Sequence, residues 1–227
     1  MAQNKDSQHL PEGLLDEQIP DELHPLLQYM VDNIKPIGLG ILAVILVVAA
    51  VTGYQYYQKS QIVDASQKLG TIMAIQDGDK RIQALEDFTS QAPEAVQPSA
   101  LFSLADEAMK AKQYKVAASA YKRLADLSDD STKLVAVMGE ASAEMASGNN
   151  AEAASLLSSL RSTAPENFQI MIDMQLAQAY EQAGQYQAAI DAYQNVLGKA
   201  GQESKALFEY RIAKLKNKLE KSNASAS

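Results

Sequence analysis

A chain of 227 residues with 28 Asp and Glu against 20 Lys and Arg has a formal net charge of -8, which excludes nonspecific attraction to a nucleic-acid backbone. It has no cysteine, so disulfides, thiol nucleophiles and thiolate metal sites are excluded. The absence of tryptophan and the many alanines point to close helix packing rather than large aromatic anchors.

Residues 1–20 are polar and acidic, contain Pro11, Gly13 and Pro20, and read as a mobile tail. Residues 21–36 read as an amphipathic juxtamembrane helix. Leu23, Leu26, Leu27, Met30, Val31 and Ile34 share one helical face. Asp21 is placed to cap it, and Pro25 stays within its first turn. Two uses remain open for it: lying on a bilayer surface, or docking a partner. Its acidic flanks weaken attraction to anionic lipid.

Residues 37–54, IGLGILAVILVVAAVTGY, carry no charge and read as a transmembrane helix. Eighteen residues of helix span about 27 Å, close to the hydrocarbon thickness of a bilayer. Tyr54, Tyr56 and Tyr57 follow as an interfacial belt would. The leader before it is long and acidic, unlike a cleaved signal peptide, so an uncleaved anchor is the expectation. Lys5 and Lys35 precede the span and Lys59 and Lys68 follow it, so flanking charge leaves the orientation tied.

Residues 55–205 carry a 36-residue period. Ala105, Ala141 and Ala177 repeat at that step, as do Ala117, Ala153 and Ala189, and Tyr121, Leu157 and Tyr193. Small residues at matching positions of two helices let them approach closely, and the larger side chain four residues on fills the space toward the next pair. Each pair leaves an apolar face that only a neighbouring pair can cover, which predicts an all-α solenoid of about four pairs. The copy LAQAYEQAGQYQAAIDAY at 176–193 resembles the tetratricopeptide repeat through Leu176, Ala177, Tyr180, Gly184, Tyr186, Ala189 and Tyr193. The copy at 134–169 departs from it, with Glu140 and Glu144 where Leu and Tyr are usual.

Residues 206–221 read as a capping helix with Phe208, Ile212, Leu215 and Leu219 as its apolar stripe, and 222–227 as a disordered tail. Met73, Met109 and Met145 share one register, and Met138 and Met174 share another with Phe102. Such side chains are either core filler or the lining of a groove for varied peptides. The candidate protein-binding groove is Phe102, Met109, Met138, Met145, Met171 and Met174.

The composition offers no catalytic or cofactor constellation. The two histidines, His9 and His24, both lie in the leader, and there is no phosphate-binding glycine loop. Asp77-Gly78-Asp79 lacks the later ligands of a calcium loop and reads as a turn, and LSDDS at 127–131 reads as a capped turn.

The order of parts resembles the YfgM-like family of bacterial inner-membrane proteins, ancillary subunits of the Sec translocon: a leader, one span, the GYQYY exit at 53–57, then SQIVDASQKL at 60–69 entering helical repeats. That resemblance implies a cytoplasmic N-terminus and a periplasmic repeat domain. It also implies a noncatalytic role in protein export, partnered by the translocon channel and a membrane-anchored periplasmic chaperone. Exported polypeptides are a further implied partner. The alternative is a generic membrane-tethered repeat adaptor that organises a cell-envelope complex, with a cytoplasm-facing orientation left open.

Overall fold

A computed structural model describes Tyr29, 34–199 and 201–226, and the leader helix expected over 21–36 lies almost wholly outside these residues. Nine helices are described: α1 (Ile34–Met73), α2 (Gly78–Gln91), α3 (Gln97–Lys110), α4 (Tyr114–Leu127), α5 (Asp130–Ser147), α6 (Asn150–Thr163), α7 (Glu166–Gln182), α8 (Tyr186–Lys199) and α9 (Gln202–Ala226). No strand occurs among the described residues. The chain divides into two compact units, 1–59 and 60–227.

In the first unit, α1 carries an exposed apolar stretch long enough, by length and composition alone, to cross a membrane. The boundaries expected at 36/37 and 54/55 fall inside this one helix. Pro36 sits in its first turn, where the missing N–H leaves no intrahelical bond unmade.

In the second unit, the helices from α2 to α9 pack on their neighbours in chain order, and α5 and α7 also meet directly. α3 pairs with α4, α5 with α6, and α7 with α8, and the end of α1 takes the corresponding place before α2, with Lys68 over the Phe88 ring. We call the first helix of each pair A and the second B; α9 stands in the A register. The period is visible in burial. Ala105, Ala141 and Ala177 on A helices and Ala117, Ala153 and Ala189 on B helices are wholly buried. Their lack of bulk brings the paired backbones together.

The A-to-B turns are equally periodic. Lys112 (φ 60°), Gly148 (φ 90°) and Gly184 (φ 74°) all take the left-handed conformation. Each is followed by an N–H that reaches back five residues: Gln113 to the Ala108 carbonyl at 2.8 Å, Asn149 to Glu144 at 2.9 Å, and Gln185 to Tyr180 at 2.9 Å. These bonds satisfy carbonyls that the ending helix leaves open. Asp77 accepts backbone N–H bonds from Asp79 and Lys80, and Asp129 accepts one from Thr132, so both acidic turns are N-caps. The bond from Lys80 and its neighbours holds the Asp77 carboxyl below its usual range, and the bonds from Thr132 do the same for Asp129.

Three main apolar clusters form the core. The first joins Ala65 and Ile72 to Leu85, Phe88, Leu101, Leu104 and Leu124. The second joins Leu134 and Met138 to Leu157, Ile172 and Leu176. The third joins Ile190, Tyr193 and Val196 to Phe208, Ile212 and Leu215 of α9. A smaller cluster on α3, α4 and α5 has only alanines as its buried members: Ala108, Ala117, Ala118 and Ala143. The cap differs from the expected 206–221 and loose 222–227: α9 starts after Gly201 at Gln202 and continues to Ala226. No Pro or Gly stands in 202–226 to stop it.

Candidate functional site

Two registers of the A helices present the exposed large apolar side chains of the second unit. One holds Val63, Val135, Met171 and Leu207, with Ser99 completing the steps of 36. The other holds Phe102, Met174 and Tyr210, with Ser66 and Met138 in the same series. Exposure is 49% at Phe102, 51% at Val135, 44% at both Met171 and Met174, 54% at Leu207 and 65% at Tyr210. Among the described residues of this unit, only Met73 and Leu127 are exposed large apolar side chains outside these two registers. Exposure concentrated in one periodic set marks a ladder rather than scattered surface residues.

Specific contacts hold the rungs. Phe102 stands edge-on to Tyr121 at 6.5 Å between ring centroids. Tyr121 in turn lies over Gly139 of α5, where an added Cβ would come within 2.6 Å of the ring. Burial, and then the charge of Asp106, push the Tyr121 hydroxyl above its usual range. On α5, the Ser142 hydroxyl donates to the Met138 carbonyl and accepts from Gln175 Nε2 of α7, each at 2.9 Å. On the α9 side, Lys218 Nζ donates to Glu181 of α7 at 2.9 Å, and Arg211 donates to the Tyr193 hydroxyl at 3.2 Å.

The six groove candidates divide. Phe102, Met171 and Met174 are exposed on the ladder. Met109 and Met145 are half-buried, packed at the margins of the alanine cluster and the second core cluster. Met138 is 7% exposed and belongs to the core, because α7 lies directly on α5 there and Met138 shares a cluster with Ile172 and Leu176. Val63, Val135, Leu207 and Tyr210 complete the ladder and were not among the candidates. The signal was present: Val135 precedes Met171, and Leu207 follows it, by one period.

The charges beside the ladder are largely internally paired. Lys110 meets Asp106 at 2.6 Å and Glu107 at 2.9 Å, and Glu181 meets Lys218. Glu107 is buried and also pairs with Arg81 of α2. The Lys110 bond, and then Arg81, outweigh burial and hold the Glu107 carboxyl below its usual range. Asp173, wholly buried, pairs with Arg161 of α6, and that bond raises the Arg161 guanidinium above its usual range. No group of three or more His, Cys, Asp or Glu side chains among the described residues is placed to hold a metal ion. The arrangement can bury apolar side chains of another chain.

Solved structures with a similar fold include a kinesin light chain from Podosopora anserina with nearly identical tetratricopeptide-like repeats, at 17% identity and TM-score 0.51, covering 74% of this chain and 89% of that one. A variant of that protein matches at 18% identity with the same TM-score of 0.51 and the same 74% and 89% coverage. MamA from Desulfovibrio magneticus RS-1 is more distant, at 12% identity and TM-score 0.48, covering 69% of this chain and 96% of that one. No curated protein sequence matches. The tetratricopeptide repeat-like domain family matches residues 28–222, which takes in every alanine seam, left-handed turn and ladder position described above, and the chain belongs to that family.

Proposed function

We propose that the protein is a noncatalytic, membrane-anchored interaction scaffold whose apolar ladder receives segments of other polypeptides. The observation that carries this reading is that seven of the nine exposed large apolar side chains described in the second unit fall in two A-helix registers, from Val63 to Tyr210. In water such a row is unfavourable to leave uncovered, and its burial supplies the driving force for association. The uncharged stretch of α1 supports anchoring in a membrane. Likeness to the YfgM-like family supports an inner-membrane location, a periplasmic repeat domain, and the Sec translocon channel and a membrane-anchored chaperone as partners.

The test places a photocrosslinking amino acid at Phe102, Met174 or Tyr210 of the full chain in a Gram-negative host. Crosslinks to translocon subunits are expected, and substituting the other two rungs with Asp should cut their yield at least tenfold with helicity unchanged. Equal yields in the Asp variants would remove the ladder from the interaction. Crosslinks solely to other proteins would leave the scaffold and reject the export role. Protease added after the outer membrane is opened should digest the repeat unit; protection until the inner membrane is lysed would place it in the cytoplasm.

A further inference from the structure

Glu140 occupies the register of Leu104, Leu176 and Ile212, each one period from the next and each buried. It too is buried, at 8% exposure. The other two buried carboxylates have cations: Glu107 has Arg81 and Lys110, and Asp173 has Arg161. Among the described residues, no hydrogen bond or ion pair reaches the Glu140 carboxyl. The charged groups facing it are Lys122 and Asp126 of α4, Glu144 of its own helix, and Glu152 of α6. On α7, which also packs against α5, the buried Asp173 is already held by Arg161. One lysine is therefore set against Glu140 and three further carboxylates.

With no donor of its own, an ionised Glu140 draws water toward a face of α5 that α4 and α6 both pack against.

We propose that Glu140 makes the α4–α5–α6 junction a proton-operated latch, tight when its carboxyl holds a proton and slack when it is ionised. Burial, reinforced by Glu144, Asp126 and Glu152 against the opposing Lys122, raises this carboxyl above its ordinary value of 4.5. The folded state then binds the proton more readily than the unfolded chain. Its stabilising contribution is complete below 4.5 and is lost as pH rises through the native value. Latching is independent of what the ladder binds.

The experiment follows amide hydrogen exchange of the full chain between about pH 5 and 8, corrected for the intrinsic pH dependence of exchange, in wild type and Glu140→Gln. In wild type the opening of α4–α6 should increase with pH by up to about tenfold per unit within the titration window, relative to α8 and α9. Glu140→Gln, which keeps the shape and removes the charge, should abolish that increase. The same pH dependence in both chains would overturn the latch. Carbon-13 NMR titration of glutamate-labelled wild type gives a second, independent reading that does not depend on a variant folding. A Glu140 carboxyl titrating at or below 4.5 would also overturn it.

Discussion

Lys112 takes the conformation that glycine takes one and two periods later, so replacing it with glycine should stabilise the protein. A left-handed backbone costs an L residue about 1–2 kcal/mol, and Lys112 sits at φ 60°. Glycine avoids that strain but loses about 0.5–1 kcal/mol more chain entropy on folding. The net gain for Lys112→Gly is about 0.5–1 kcal/mol, since the side chain is exposed and its removal uncovers no core. With a urea slope of about 2 kcal/mol per M, the unfolding midpoint should rise by about 0.3–0.5 M. The mirror experiment is Gly148→Ala. An added Cβ there meets nothing within 4 Å, so only the φ of 90° opposes it, and the loss should be about 1 kcal/mol. Far-UV circular dichroism of the full chain in urea measures both. A lower midpoint for Lys112→Gly, or an unchanged one for Gly148→Ala, would refute the argument from backbone strain.

Leu157 is wholly buried in the second core cluster, and Leu157→Ala should cost about 2–5 kcal/mol by the same unfolding measurement. Arg161→Ala should cost about 2–3 kcal/mol, because it strands the buried Asp173; the figure is discounted for the partial exposure of the arginine. A double variant with Asp173→Leu should recover most of that loss. Glu107 has a lowered native carboxyl value, so its contribution is present above the ordinary 4.5 and disappears as pH falls through the native value. Glu107→Gln should therefore be less stable than wild type at pH 7, with the two converging as acid is added. A gap that stays constant down to pH 2 would contradict that assignment.

The period was readable because it is written in local chemistry: small residues where helices touch, and glycine at the left-handed turn. Lys112 hid a third turn of the same kind, since the pattern of residue types does not report φ. Met138 and Met174 show the limit of register. They occupy equivalent positions, but α7 lies directly on α5 and covers Met138, whereas Met174 is left exposed. Such coverage depends on the neighbouring helix, which one helix's sequence does not contain. Leu207 and Tyr210 were missed for another reason. The apolar stripe of the last helix is its buried face, and these two residues stand off that stripe on its exposed side.

The ninth helix also bears on how the array can be engineered. One period beyond Gly184 stands Glu220, and α9 runs straight through that point instead of turning. Ala213, one period after Ala177, still offers the small surface on which each preceding B helix closes, but here it faces solvent. The stack is thus halted by a missing punctuation mark rather than by a blocked surface. A glycine at 220, followed by a grafted copy of α8, should lengthen the array by half a module and seat it on a platform that is already built. The grafted helix would also cover Glu209 and Lys216, so those two positions would have to be recast as apolar in the same design.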